Sequence, residues 1–212
     1  MVPTALNPLS TALVALAWTL SAAVRIDGLR DAALAWHIPP PASVYRGERL
    51  FMDAGRHAPL SVRVAREVQR SNTRISPVDA LLLATRAIDA AHSARIAPAF
   101  FAATLLQESG FDPRAISAAG AVGIAQFTVP TALDYGIEDP WDPSQAIDGC
   151  AHLLAAYAAD YRGGRDDPYA LAAAAYNAGP GTIAYYHGVP PYAETRVYVQ
   201  DIRERWSRIV GR

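Results

Sequence analysis

The pattern of apolar and polar residues from Ser76 onward predicts one helix after another. Three of these apolar runs open with the same signal, a polar N-cap residue followed by proline at the first helical position: Ser76-Pro77, Asp142-Pro143 and Asp167-Pro168. No alternating pattern of useful length, as expected for a half-buried strand, is present in the sequence. The chain is therefore predicted to be mostly α, with loops at 111–127 and 162–167.

Helix boundaries follow from the same signals of capping, proline and glycine. An amphipathic helix is predicted near Leu60 to Gln69, with its charge run (Arg63, Arg66, Glu67, Arg70) as a solvated face. Further helices are predicted from Ser76-Pro77 to near His92, from Pro98 to Glu108, from Asp142-Pro143 to about Tyr161, from Asp167-Pro168 to about Ala178 and from about Tyr192 to Val210.

The N-terminal part of the chain differs in composition from the rest. Residues 1–24 carry no charged side chain, and the apolar block from Leu9 to Val24 is shorter than the ~20 residues of a membrane span but suits a signal peptide. No Lys or Arg precedes it, so a buried or partner-docking helix is the other interpretation. Pro39-Pro40-Pro41 forms a stiff linker. We predict a signal or anchor plus linker at 1–45, a helical lead-in at 46–75 and a catalytic domain at 76–212.

The charge, motifs and cysteine content of the sequence exclude several kinds of binding and catalytic site. A net charge of −1 and a pI near 6.5 give no basic footprint, so no nucleic-acid partner is expected. No metal, phosphate-loop or nucleophile-elbow motif is present in the sequence, so catalysis must depend on carboxyl groups. Cys150 is the single cysteine, and its helical spacing from Ala146 and Leu154 predicts a buried, inert thiol.

Glu108 is the candidate acid. The charge-free stretch 99–106 predicts a buried helix, and Glu108 closes it on a face shared with Phe101 and Thr104, just before Gly110. Partial desolvation and the negative end of the helix dipole would both raise the pKa of this carboxyl, as general-acid catalysis near neutral pH requires. Taken alone, Glu108 is more simply interpreted as a solvated residue at the end of an ordinary helix.

Three downstream segments contain further polar candidates. The glycine loop 117–127 contains Ser117 and presents the amide of Gln126 in an otherwise apolar run. Tyr176 and Asn177 end an alanine-rich helix, and Glu194 begins the last one. Each also has a plain structural interpretation, as a packing loop, a packed tyrosine with an amide cap, and a favourable charge at a helix N-terminus.

The order and spacing of these segments are more specific than any one of them. The series E-S-G-F-D-P, S-x-x-G-A-x-G-I-A-Q-F, A-Y-N-A-G-P-G and E-T-R-x-Y-V closely resembles the catalytic domain of the soluble-type lytic transglycosylases over about residues 76–205. The resemblance implies a lysozyme-like, goose-type helical fold with a cleft around the catalytic Glu. It implies that Glu108 is the single acid/base and that Ser117, Gln126, Tyr176, Asn177 and Glu194 bind substrate, with Tyr176 near the carboxyl. One departure is that Ile124 and Ala125 stand where the family commonly has Leu and Met, which concerns sugar preference.

The resemblance also implies a reaction. The enzyme would cleave the β-1,4 bond between N-acetylmuramic acid and N-acetylglucosamine in peptidoglycan strands and leave a 1,6-anhydromuramyl end, with no metal or cofactor. It would work in the periplasm or cell envelope, and residues 1–45 would be available to dock an envelope or secretion-machine partner.

Two alternatives remain from the residues. One is a hydrolytic muramidase or chitinase, which requires a second carboxylate such as Asp134 or Asp142 facing Glu108 across a water-sized gap. The other is a non-catalytic glycan-binding module of an envelope assembly.

Overall fold

The computed structural model describes residues 58–211 as eight helices joined by turns. The predicted signal or anchor, the proline linker and the start of the lead-in lie outside the described residues. The helices are α1 (Leu60–Ser71), α2 (Pro77–Ala94), α3 (Pro98–Glu108), α4 (Val129–Asp134), α5 (Pro143–Asp160), α6 (Pro168–Ala178), α7 (Pro180–Tyr186) and α8 (Ala193–Val210). Within residues 58–211 the only strand-like pairing is two isolated bridges, Val122 with Phe127 inside the glycine loop and Val122 with Ile116 just before it. The predicted mostly α fold is confirmed.

The three predicted N-caps satisfy the first free amides of their helices. Ser76 Oγ accepts a hydrogen bond from Asp79 N at 3.1 Å in α2. At the start of α5, Asp142 Oδ1 accepts from Ser144 N at 2.7 Å and Gln145 N at 3.1 Å. The carboxylate of Asp167 accepts from Tyr169 N at 3.0 Å at the start of α6. These caps explain why the helices begin where the sequence predicted.

Two short helices, α4 and α7, were not predicted. Six and seven residues are too few to show a helical period. The start of α4 has a capping signal, since Thr128 accepts from Thr131 N at 3.3 Å and Pro130 lies in the first turn. Gly179 ends α6 as predicted and, with φ of 84°, also begins α7. The capping residues are therefore the only sequence signal for α4 and α7.

The core of the described region is built around α3. Every residue of α3 from Ala99 to Leu106 is buried, and the helix packs against α1, α2 and α8. This helix is apolar on all sides because it is surrounded by other helices. The last residue of α3, Glu108, therefore lies at the edge of the core.

The amphipathic helix predicted near Leu60 to Gln69 is α1, and it buries Val64, Ala65 and Val68. The prediction that its charge run forms a solvated face is wrong for Glu67, which is only 6% exposed. Glu67 accepts from Arg70 at 2.5 Å and from Arg208 of α8 at 3.2 Å. Two cations therefore compensate the buried charge.

The described residues from Pro59 onward fall into one compact unit, which includes α1. The helix of the predicted lead-in therefore belongs to the same unit as α2 to α8. The division of the whole chain at 45 and 75 stays a prediction. None of the helices among residues 58–211 combines the length and the apolar character needed to cross a membrane.

Candidate active site

Glu108 is the last residue of α3 and is half-buried. The backbone leaves the helix sharply, because Gly110 and Phe111 both adopt left-handed conformations with φ of 61° and 64°. Phe111 is fully buried, which holds this unusual turn in place. The end of α3 is therefore a rigid corner with the carboxyl of Glu108 at its tip.

The phenol of Tyr198, from the second turn of α8, donates a hydrogen bond to Glu108 Oε1. Burial raises the pKa of Glu108 from 4.5 to about 7, and the hydrogen bond from Tyr198 acts in the opposite direction. Desolvation is the larger effect because it penalises the anion more than one donor can compensate. Near neutral pH the carboxyl therefore populates both its protonated and its ionised form, as an acid/base catalyst requires.

Three neutral groups lie around this carboxyl. The negative charge of Glu108 contributes to raising the pKa values of Tyr176, Tyr198 and Cys150, although burial is the main cause for each. Because their pKa values are raised, both phenols and the thiol stay protonated near neutral pH. Cys150 is buried as predicted, and its raised pKa makes it a poor nucleophile.

The glycine loop is tied to both sides of the site. Ser109 Oγ, next to the acid, donates to Ile124 O at 2.7 Å, and Tyr176 Oη donates to Ala125 O at 2.8 Å. The Tyr176 ring also meets the ring of Phe127 edge-on at 6.0 Å. These contacts place Tyr176 between the loop and the carboxyl, and they give Ser109 a specific role in positioning the loop.

Ser117 and Gln126 hold the loop from within. Ser117 Oγ accepts from Ala121 N at 3.0 Å. Gln126 has a φ of 54°, and its Nε2 donates to Gly123 O at 2.9 Å and Ala115 O at 3.3 Å. The amide N–H group of Gln126 is therefore used by the backbone. Direct sugar binding by Ser117 and Gln126 stays a prediction.

The remaining two predicted residues differ in their surroundings. Asn177 Oδ1 accepts from Thr195 Oγ1 at 2.8 Å, which ties the end of α6 to α8. Thr195 is buried, whereas Glu194 in the first turn of α8 is exposed. A substrate contact by Asn177 or Glu194 likewise stays a prediction.

Tyr198 is the site residue that the sequence analysis missed. It belongs to the E-T-R-x-Y-V motif, three residues after Thr195 and therefore on the same face of α8. Because Thr195 bonds Asn177 and Tyr198 bonds Glu108, one face of α8 reaches two of the predicted site residues. Only this helical spacing would have pointed to Tyr198 from the sequence.

Asp134 and Asp142, the candidates for a second catalytic acid, and Asp112, the carboxyl residue nearest to Glu108 in sequence, have other positions or partners. Asp112 pairs with Arg74 at 3.3 Å and accepts from Arg114 N at 2.9 Å. Asp142 caps α5, and Asp134 is exposed at the end of α4. The helical fold, with the acid Glu108 at the tip of its buried central helix, defines a lysozyme-like helical domain.

Comparison with known proteins agrees with this class. The family model for the transglycosylase SLT domain matches residues 86–197, slightly more than half of the chain. The chain belongs to this family, which confirms the resemblance drawn from the motifs.

Individual relatives match over shorter stretches. The chain is 47% identical over 53 residues to membrane-bound lytic murein transglycosylase F of Maricaulis maris, and 45% identical over 53 residues to the protein of that name in Shewanella halifaxensis. Each match covers 25% of this chain and only 12% or 11% of the relative. A solved structure of lytic transglycosylase Slt from Pseudomonas aeruginosa, an inactive mutant in which one Glu is Gln, is similar with a TM-score of 0.51 and 25% identity. That similarity covers 59% of this chain and 23% of the Slt chain.

Proposed function

We propose that this chain is a peptidoglycan lytic transglycosylase in which Glu108 is the single general acid and base. The observation that carries the proposal is the position of Glu108 at the tip of the buried helix α3, where Tyr198 donates to its carboxyl and burial raises its pKa to about 7. Membership in the SLT family and the relatives named as lytic murein transglycosylases support the same reaction. That a Glu-to-Gln mutant of Slt is inactive supports a glutamate as the essential group.

The first step uses the protonated form of Glu108. The carboxyl donates its proton to the oxygen of the bond between N-acetylmuramic acid and N-acetylglucosamine, and the C1–O bond breaks. The N-acetylglucosamine leaves with a free 4-hydroxyl, and the muramyl N-acetyl group stabilises the cationic C1. Because Tyr198 donates to Oε1, Glu108 Oε2 is the oxygen free to carry the reacting proton.

The second step uses the ionised form. The Glu108 carboxylate takes the proton of the C6 hydroxyl of the same muramyl residue, and O6 attacks C1 to close the 1,6-anhydro ring. The Tyr198 hydrogen bond stabilises the carboxylate between the two steps. The tethered hydroxyl has an effective molarity on the order of 10⁵ M or more, so it outcompetes water in a shielded site.

This reaction requires no second carboxylate, in keeping with the positions of Asp112 and Asp142. It also consumes no water, because the proton given to the leaving group is recovered from the C6 hydroxyl. Because the proposed substrate belongs to the cell envelope, we expect the enzyme to act there, and the relatives named as membrane-bound lytic murein transglycosylases support this. Attachment through residues 1–45 belongs to the same proposal.

The test is digestion of purified sacculi by the wild type, by Glu108→Gln and by Glu138→Gln, with soluble muropeptides identified by mass. Glu138 is an exposed carboxyl and serves as the matched control. We expect anhydro-ended muropeptides from the wild type and the control, and a loss of about 10²-fold or more in rate for Glu108→Gln. Reducing ends would support a hydrolytic muramidase instead, and no release from the wild type would support a glycan-binding module.

A further inference from the structure

Three tyrosine side chains form an exposed cluster where α7 ends and α8 begins. Tyr185 and Tyr186 end α7, and Tyr192 is the N-cap residue of α8. Their exposed fractions are 77%, 39% and 46%. The ring of Tyr186 lies 4.9 Å from that of Tyr185 and 5.6 Å from that of Tyr192, centroid to centroid, and both pairs are edge-to-face. We call these three residues the tyrosine platform.

The arrangement of the rings is suited to binding. Each edge-to-face pair contributes about 0.5–1.5 kcal/mol beyond the area it buries, so the rings hold one another in place. The exposed ring surface of Tyr185 and Tyr192 is nevertheless left in water. Ordered aromatic groups with exposed surface lose little conformational entropy when a ligand covers them.

The platform is continuous with the candidate active site through two elements. On α8, Tyr192 is followed by Thr195, which bonds Asn177, and by Tyr198, which bonds Glu108. Six residues separate Tyr192 from Tyr198, a rise of about 9 Å along a helix axis. The second element is α7, which follows directly after α6, the helix that carries Tyr176 near its C-terminal end. The platform is therefore linked through α8 to the residue that bonds Glu108.

We infer that the tyrosine platform is a distal sugar subsite, which stacks on a pyranose ring of the glycan strand away from the bond that is cleaved. This inference rests on the proposed function, which supplies a polymeric substrate. The chemistry fits, because a sugar ring presents apolar C–H groups to an aromatic face while phenol hydroxyls reach its polar rim. None of the three platform side chains is a cation or an anion, as expected for binding the uncharged part of a glycan.

Such a subsite should favour the binding and turnover of long glycan strands over short ones. Strands long enough to reach the platform gain affinity from it, whereas a strand that occupies only the sugars next to Glu108 does not. Loss of one stacking ring at a binding hot spot typically weakens binding by about tenfold. The platform variants should therefore lose the advantage of long strands and keep the affinity for short ones.

The experiment measures binding without turnover, in a Glu108→Gln background, by calorimetric titration with peptide-free glycan strands of defined lengths. Tyr185→Ala and Tyr192→Ala are compared with Tyr135→Ala. Tyr135 is about as exposed as Tyr192, and its hydroxyl pairs with Tyr157 at 3.1 Å. We expect both platform variants to bind long strands about tenfold more weakly and short strands unchanged. The control should bind both like the reference. Tyr185→Phe and Tyr192→Phe, which keep the ring, should retain long-strand binding.

Four results would overturn the inference, and three of them concern binding: equal long-strand affinity in platform variants and reference, equal losses on short and long strands, or no glycan binding by the reference. A change in oligomeric state with unaltered glycan binding would assign the platform to a contact between copies of the chain, which also overturns it. Failure of the proposed function is seen separately, as the absence of anhydro ends from the wild type. Because the titration does not depend on catalysis, the failure of the inference can be distinguished from the failure of the proposed function.

Discussion

Burial of Glu108 predicts that replacing this residue stabilises the protein in a pH-dependent way. Its pKa is raised from 4.5 to about 7, so the folded state holds a proton that the unfolded chain releases between these values. Protein stability therefore falls as pH rises through this window, and the deficit is complete above pH 7. In Glu108→Gln the side chain cannot ionise and its amide oxygen can still accept from Tyr198.

The size of the effect follows from the two pKa values. The difference between 4.5 and about 7 corresponds to about 3 kcal/mol of folding free energy at alkaline pH. We expect Glu108→Gln to be more stable than the wild type by up to about 3 kcal/mol at pH 8 and equally stable at pH 4. For a protein of this size, that difference is about 6–12 °C in Tm or about 1 M or more in the urea midpoint.

The assay is urea unfolding of the full chain at pH 4 and pH 8, followed by tryptophan fluorescence. Trp206 of α8 is a suitable reporter because its ring packs against Phe100 at 5.5 Å and Tyr169 at 5.3 Å, and this contact is lost on unfolding. Glu138→Gln, at an exposed position, controls for the removal of one carboxyl. If the wild type and Glu108→Gln differ by the same amount at both pH values, the carboxyl titrates normally and the proposed acid is wrong.

Two further predictions concern the surroundings of the acid. Tyr198→Phe removes the hydrogen bond that favours ionised Glu108, so the pKa of Glu108 should rise. The alkaline limb of the pH profile of kcat/KM should then move to higher pH, and an unmoved limb would show that Tyr198 does not act on the carboxyl. Gly123→Ala should destabilise the fold by more than about 2 kcal/mol in urea unfolding, because its Cβ would lie 2.3 Å from the carbonyl oxygen of Pro140 at a φ of 75°. Gly120→Ala, with a φ of 79° but nothing within 4 Å of its Cβ, should cost only about 1 kcal/mol, and equal losses at both positions would contradict the close contact.

Local features of the sequence predicted most helices because their signals are local. Ser76, Asp142 and Asp167 cap the helices that they were expected to cap. The position of Glu108 at the end of a buried helix was also predictable, since the charge-free stretch before it requires burial. The helices that were missed, α4 and α7, are too short to show a period.

The partners of the site residues were less predictable because they come from distant parts of the chain. Tyr198 and Glu108 are 90 residues apart, and only the packing of α8 on α3 brings them together. The sequence showed that Gln126 has a side-chain amide that could bind a ligand. It did not show that the N–H groups of this amide would donate to Gly123 O and Ala115 O. Glu67 in α1 was misjudged for the same reason, because its partner Arg208 lies in the last helix.

The most direct test of the central claim is the origin of the oxygen at the new muramyl end. Sacculi are digested by the wild type in water enriched in heavy oxygen, and the isotope content of the released muropeptides is measured by mass. If Glu108 takes the proton of the C6 hydroxyl and O6 attacks C1, the products carry no heavy oxygen at C1. They are then lighter by one water than hydrolysis products. Heavy oxygen at C1 of the muramyl end would contradict the account and identify the enzyme as a hydrolase.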